Sequence, residues 1–315
     1  MMFAQKNRKP AKSWLTWLVT GLMFLGVIAV LGWLIWRQRE VLLNYSWEIR
    51  FFPLFLSFAI YVAIQFLMVF LWSQIITVFV EKSNFWKDFQ LILLTNLGKR
   101  IPGTVWYIGW RIQLYRELNL TTGIVSLASG VELAMLIVSG SLVSLLFAIS
   151  IIIKYSSSIW IAGVLVVLSL FLVNPKTLKW LIKKTGGDPN RLKFTNIVLW
   201  VALYSLVWVM GGVMLFCIAN TLFPLPVSNL GFVIGSWSIV GIASYMLLFL
   251  PSNLGFSEIG LSLLLSQIIP SSLAVLVAVS SRILTTLYDI LLAGLVVLWQ
   301  KLVKKNLNNQ EEEKI

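Results

Sequence analysis

The segment Thr95–Arg111, TNLGKRIPGTVWYIGWR, places charge and a helix break between two long apolar stretches. Its cationic residues and its break are Lys99, Arg100, Arg111 and the step Pro102–Gly103. Irregular backbone and charge are tolerated at membrane depth only where protein or a water-filled cavity surrounds them. The segment therefore predicts a re-entrant hairpin, which enters the bilayer and folds back, rather than a plain transmembrane helix.

The composition sets the class of protein. Hydrophobic residues make up 59% of the 315 positions and charged residues 12%, against about 25% charged residues in soluble domains. Apolar runs near the roughly 20 residues that span a bilayer recur along the chain. The sequence predicts an all-α polytopic membrane protein with about six to eight transmembrane helices. A single membrane domain is expected at 14–299, between a basic N-terminus (1–13) and a polar tail (300–315).

The distribution of Lys and Arg predicts how the chain threads the membrane. Four basic residues precede residue 14 and six lie in 174–196, which is typical of cytoplasmic segments. The segment 220–231 carries no charge and is placed outside. Both termini are then cytoplasmic, in a bacterial-type inner (plasma) membrane. This orientation accounts for most of the net charge of +13, and no nucleic-acid partner is expected.

Two broken apolar regions occupy corresponding places along the chain. The first covers 89–118 and the second 232–270, where Pro251 and Gly255 interrupt the run. With the threading above, the first region begins and ends inside, and the second begins and ends outside. Each is therefore either a re-entrant hairpin or a pair of spans.

The spacing of marked residues predicts an inverted repeat. Pro102 and Pro251 are 149 residues apart, and Glu132 and Arg282 are 150 apart. The two predicted halves are residues 14–153 and 159–299. Interrupted apolar segments at matching places in two inverted halves are the best sequence indicator of a transporter's binding site.

Several charged residues within the membrane domain predict a polar route. Glu132 lies about 15 Å from the start of its helix, near the midplane. Arg282 and Asp289 are seven residues apart and share a helix face. A lone charge at this depth costs at least ~2.5 kcal/mol, so a Glu132–Arg282 pair is expected, either as a structural pair or within a headgroup or proton pathway. The predicted route consists of Glu132, Glu258, Arg282 and Asp289.

The first broken region also predicts a site for an anionic headgroup. Arg binds phosphate with a bidentate fork and Lys adds a point charge. The interleaved Trp106, Tyr107 and Trp110 suit the headgroup level of a bilayer. Snorkelling of the basic side chains to anionic cytoplasmic lipids is the alternative. The predicted headgroup-binding residues are Lys99, Arg100, Arg111 and Arg116.

Catalytic signatures are missing from the sequence. It contains no His, one Cys, and neither a P-loop nor a nucleophile elbow. No metal site, cofactor or enzymatic activity is therefore expected. Three functions stay open: a lipid flippase or transporter, a membrane enzyme or accessory factor acting on a polyprenyl- or glycosyl-linked lipid, and a non-transporting lipid-binding scaffold. The expected partner is an anionic phospholipid, and a second copy or a separately encoded enzyme is left open.

Two motifs support a resemblance. NLGKRIPGTVWYIGWR, followed by a Glu-bearing span and then by LPSNLGFSEIGLSLLL, resembles the flippase-like family of lysylphosphatidylglycerol synthase transmembrane regions. The matching positions are Pro102, Gly103, Arg111, Pro251, Gly255 and Glu258. The resemblance covers roughly 14–299 and implies a membrane domain that moves or binds lipids between leaflets. The full-length synthases add an aminoacyl-transferase domain. This sequence carries none, so the resemblance implies a stand-alone member.

Overall fold

The structure is a computed structural model that describes residues 48–80, 83–97, 106–147, 173–184, 188–246 and 255–312, with a few single positions elsewhere. Within these residues the regular structure is helical, and five helices are long and apolar enough to cross a membrane. The prediction of an all-α polytopic membrane protein is confirmed. Predictions that lie outside the described residues concern the span 14–36 and the residues Lys99, Arg100, Pro102, Gly103 and Pro251.

The first described helices form a long, short, short, long series. They are α1 (Phe51–Phe79), α2 (Phe85–Asn96), α3 (Trp106–Arg116) and α4 (Thr122–Phe147). Asn84 caps α2, because its side-chain oxygen accepts from the backbone N–H groups of Trp86 and Lys87. The cap fixes the point at which the chain turns from α1 into the first broken region.

The second group of described helices begins with the short amphipathic helix α5 (Pro175–Lys184). It is followed by α6 (Phe194–Leu222), α7 (Leu230–Met246), α8 (Phe256–Leu265) and α9 (Ser271–Glu312). Gly255 precedes α8 with a φ of 90°, a conformation that glycine adopts without steric cost. The predicted break at Gly255 is therefore a left-handed turn. Helix α9 continues through most of the predicted polar tail.

Helix length separates the two broken regions. Helices α2 and α3 have 12 and 11 residues, about 18 and 16 Å at 1.5 Å per residue. Helix α2, both of whose ends are described, is too short for a hydrocarbon core of about 30 Å, as a hairpin requires. In the second region, the 19 residues Val227–Tyr245 are long enough to cross, whereas α8 has only 10 residues. The second region thus combines a span-length helix with a short one.

The packing of the helices repeats between the halves. The series α1–α4 matches α6–α9 in order, and α4 packs on α7 as α9 packs on α2. The backbone N–H of Arg50, before α1, donates to the carbonyl of Thr221, near the end of α6, at 3.1 Å. The equivalent helices α1 and α6 are therefore antiparallel. A two-fold axis along the helices would keep them parallel, so the axis crosses them, as an inverted repeat requires.

Close helix contacts surround Trp208 of α6. A Cβ at Gly140 of α4 would lie 2.8 Å from its ring, and a Cβ at Gly241 of α7 would overlap the ring. The indole Nε1 of Trp208 donates to the carbonyl of Leu136 at 2.9 Å. Trp208 is thus held between one helix of each half, at the edge of the cavity described next.

Candidate functional site

A cavity of about 210 Å³ lies between α6, α7, α8 and α9. Its walls combine aromatic rings, hydroxyl groups and one ion pair. The residues that line it are Trp208, Trp237, Val240, Gly241, Ser244, Tyr245, Ser257, Glu258, Leu261, Ala278, Ser281, Arg282 and Thr285. About 10–15 Å³ of such volume holds one water molecule, so the space admits a group much larger than a single water.

The ion pair in this cavity joins Glu258 to Arg282. Arg282 Nε lies 3.5 Å from Glu258 Oε1, and the side chains are 29% and 8% exposed. Glu258 also accepts from the backbone N–H of Gly255 at 2.9 Å, in the first turn of α8, where the helix dipole favours a carboxylate. Arg282 lies about 16 Å along α9. A partly exposed cation therefore faces the cavity from within a helix that is long and apolar enough to cross a membrane.

Hydroxyl groups complete the polar part of the wall. The Oγ atoms of Ser244 and Ser257 are 2.8 Å apart and link α7 to α8. Ser281 donates to the carbonyl of Ala278, and Thr285 donates to the carbonyl of Ser281, each at 2.8 Å. These hydroxyl oxygens retain acceptor capacity. The wall can thus bind donor groups of a ligand beside the cation.

A second ion pair lies in the first half and is closed. Arg111 Nη1 lies 2.5 Å from Glu132 Oε2, and the side chains are 0% and 4% exposed. The guanidinium lies 4.0 Å from the centroid of the Trp72 ring and 5.4 Å from that of Tyr107. Within the described part of the chain, the Nε and Nη2 atoms of Arg111 have no hydrogen-bond partner.

These pairs correct the prediction that Glu132 pairs with Arg282, which is wrong. Each charge instead finds its partner on the short helix of its own half, because α3 packs on α4 and α8 packs on α9. Sequence spacing identified the two equivalent charges on the long helices. It could not show that a charge on a neighbouring short helix is closer.

Asp289 lies in a different environment from Arg282, although seven residues place them on one face. Its Oδ1 accepts a hydrogen bond from the hydroxyl of Tyr61 on α1, and its side chain is buried. Next to it, Ser57 Oγ lies 2.9 Å from the hydroxyl of Tyr288. The predicted polar route is thus divided into three separate interactions, of which the Glu258–Arg282 pair lines the cavity.

The predicted headgroup residues that the structure describes do not share a surface. Arg111 is fully buried, whereas Arg116, at the end of the same helix, is exposed. A headgroup role for either stays a prediction. In the conformation described, Trp72 and Glu132 cover Arg111, whereas Arg282 lines the cavity.

Sequence reasoning missed a buried network around Asp88. Its carboxylate is 2% exposed and accepts from the hydroxyl of Ser83 and from that of Tyr115, the latter at 2.5 Å. The indole Nε1 of Trp72 donates to the Tyr115 oxygen at 2.6 Å. The only local signal was an acid in the first turn of an apolar helix. Because Trp72 also covers Arg111, this network supports the closed ion pair.

The aromatic cavity walls, Trp208, Trp237 and Tyr245, were also missed, because mid-span aromatics are common in membrane helices. Among the residues that the structure describes, no group of three or more His, Cys, Asp or Glu side chains comes together. Comparison of the chain with protein-family models, curated proteins and solved structures gives no match. The resemblance to the flippase-like family stays a prediction.

Proposed function

We propose that this protein is a membrane transporter that binds the headgroup of an anionic phospholipid in the cavity and moves the lipid between leaflets. The observation that carries the proposal is the partly exposed Arg282, paired with Glu258 in a cavity between helices that include three of span length. Such intramembrane charges are costly, and they commonly mark a substrate pathway.

The chemistry of the cavity suits a phosphate group. A headgroup phosphate cannot cross hydrocarbon without replacing its hydration, because an unpaired buried charge costs many kcal/mol. Arg282 supplies a guanidinium that can take two phosphate oxygens at once. The serine hydroxyls of the wall offer further polar partners, and the rings of Trp208 and Tyr245 can contact the glycerol and acyl carbons.

Glu258 keeps the charge of Arg282 paired when no phosphate is bound. Breaking a buried ion pair is costly when one charge is left without compensation. When a phosphate binds Arg282 in place of Glu258, the Glu258 carboxylate still accepts from the backbone N–H of Gly255 and remains stabilised by the N-terminal end of α8. Lipid binding therefore exchanges one anion for another on Arg282, at a lower cost than creating a new charge pair.

A scrambling assay tests the proposal. The protein is reconstituted into liposomes with fluorescent phosphatidylglycerol, and leaflet exchange is read from dithionite quenching, with and without an ion gradient. Because a hydrogen bond to a charged group contributes about 1.5–3 kcal/mol, we expect Arg282→Gln to slow exchange about 10- to 100-fold. The exposed Lys179→Gln on α5 is the control and should match the unsubstituted protein.

Two results would overturn this function. Exchange no faster than in empty liposomes, across several anionic lipids, would remove transport and leave a lipid-binding scaffold. If Arg282→Gln leaves the rate of leaflet exchange unchanged, the cavity is not the binding site for transport. Mass spectrometry of the recovered lipid separates the remaining alternative, because a membrane enzyme would change the lipid covalently.

A further inference from the structure

The two ion pairs occupy equivalent places in the inverted halves, with their charges exchanged. In the first half the short helix carries Arg111 and the long helix carries Glu132. In the second half the short helix carries Glu258 and the long helix carries Arg282. Glu132 and Arg282 are 150 residues apart, as the helix starts Thr122 and Ser271 are 149 apart. The Arg111–Glu132 pair is thus the counterpart of the cavity pair.

The counterparts differ in access. The side chains of Arg111 and Glu132 are 0% and 4% exposed, whereas those of Arg282 and Glu258 are 29% and 8% exposed. In proteins built from inverted repeats, access alternates when one repeat moves against the other around the central site. Exchanging the conformations of the two halves would open the first pair and close the second.

Buried polar atoms around the closed pair are not satisfied. Within the described residues, Arg111 Nε and Nη2, Tyr204 Oη and Ser129 Oγ have no hydrogen-bond partner. Tyr204 is fully buried in the same hydrophobic cluster as Trp72, whose ring stacks on Arg111. Ser129 lies one turn before Glu132 on α4. Buried polar atoms without partners are rare and destabilising.

The donors that lack a partner can all bind the same kind of ligand, an anion. The guanidinium nitrogens Nε and Nη2 and the phenol hydroxyl can all donate to the oxygens of one tetrahedral anion. They lie on α3 and α6. One turn after Tyr204 on α6, Trp208 lines the open cavity, and its ring centroid is 6.1 Å from that of Tyr245 on α7. Helix α6 therefore carries residues of both clusters, so movement of α7 against α6 would affect both.

We infer that Arg111, Tyr204 and Glu132 form a second, occluded binding site for a phosphate group, which opens when the Glu258–Arg282 cavity closes. The phosphate is that of a lipid headgroup if the proposed function holds, but the site and its alternation with the cavity do not depend on lipid movement. Glu132 holds Arg111 while the site is closed, as Glu258 holds Arg282.

Thiol accessibility tests the alternation directly. The single cysteine is first removed by Cys217→Ala, and Ser129→Cys or Ser257→Cys then reports on the closed or the open site with a small, water-soluble thiol reagent. We expect Ser257→Cys to react at least about tenfold faster than Ser129→Cys, an equilibrium bias of about 1.4 kcal/mol. Adding Glu132→Gln should weaken the closed pair, raise the Ser129→Cys rate and lower the Ser257→Cys rate together.

The reciprocal change is the decisive readout. If both rates rise, Glu132→Gln merely loosens the packing, and the inference is wrong. If the Ser257→Cys rate stays unchanged while Ser129→Cys speeds up, the sites do not alternate, and it is again wrong. Lys179→Gln in the same backgrounds should change neither rate. Should Glu132→Gln fail to fold, the shorter Glu132→Asp weakens the same pair while keeping the charge.

Protection of the cysteine by a ligand identifies which phosphate compound binds the Arg111 site. In the Glu132→Gln background, vesicles of phosphatidylglycerol and phosphatidylcholine are compared, and inorganic phosphate is added to the second. Slower Ser129→Cys modification with phosphatidylglycerol alone assigns the site to a lipid headgroup, and slowing by inorganic phosphate assigns it to the free anion. Protection by neither overturns the binding site. Failure of leaflet exchange with reciprocal rates intact would overturn only the proposed transport.

Discussion

The guanidinium of Arg111 lies 4.0 Å from the centroid of the Trp72 ring, with no part of the arginine side chain exposed. A desolvated cation over an indole gains about 2 kcal/mol or more. Together with the contact to Glu132, this stacking offsets the cost of removing the charge from water. The indole also donates to Tyr115, so the ring that stacks on the cation is itself fixed in place.

Removing Arg111 alone should destabilise the protein strongly. Arg111→Met leaves the buried Glu132 carboxylate uncompensated, and breaking a buried pair in this way costs about 3–5 kcal/mol. The double variant Arg111→Met/Glu132→Leu removes both charges and should recover most of that loss. Thermal unfolding in detergent measures the difference. Lys179→Met removes an exposed cation and should stay within about 0.5 kcal/mol. A double variant no more stable than the single one would contradict the argument.

Gly241 should tolerate no side chain. A Cβ there would overlap the Trp208 ring, so Gly241→Ala must displace the indole from between α4 and α7. Overpacking of this kind typically costs about 1–3 kcal/mol. Gly294→Ala is the matched control, because a Cβ at that helical position meets nothing within 4 Å. It should gain up to about 1 kcal/mol from helix propensity. Equal melting temperatures for the two variants would contradict the packing described.

Tyr61 should stabilise the buried Asp289. Tyr61→Phe removes a hydroxyl that donates to the carboxylate, and the loss of a hydrogen bond to a charged group costs about 1.5–3 kcal/mol. Tyr288→Phe, one helix position before Asp289, removes a contact with Ser57 only, whose hydroxyl still donates to the Leu54 carbonyl. Unfolding in detergent should therefore rank Tyr61→Phe as the more damaging change. The reverse order would show that the carboxylate does not depend on this phenol.

The sequence was sufficient to predict the all-α membrane fold and the helix break at Gly255, because hydropathy and helix breakers act through composition and spacing. It identified Arg111, Glu132, Glu258 and Arg282 as important. It could not assign their partners, since a pairing depends on which short helix packs beside each long one. Tyr245 and Trp208 gave no signal, because an aromatic side chain in a span looks the same whether it faces lipid or a cavity.

Tyr115 should be the most sensitive member of the network that surrounds Asp88. Its hydroxyl donates to Asp88 Oδ1 at 2.5 Å and accepts from Trp72 Nε1 at 2.6 Å, so Tyr115→Phe removes the partner of two buried atoms, Asp88 Oδ1 and Trp72 Nε1. Each such group costs about 1–3 kcal/mol, and the two should lower the stability by about 2–6 kcal/mol. Ser83→Ala removes one donor to the same carboxylate and should cost less, because Ser83 is only partly buried.

Asp88→Asn then tests whether the charge itself matters for Tyr115. An amide can keep the phenol as a donor to its oxygen while removing the buried negative charge, so Asp88→Asn should be milder than Tyr115→Phe. Thermal unfolding of the three variants in one detergent measures the order, which we expect to be Tyr115→Phe, then Asp88→Asn or Ser83→Ala. If Tyr115→Phe were neutral, Trp72 and Asp88 would have to find other partners. The inference that this network holds the Trp72 ring against Arg111 would then be wrong.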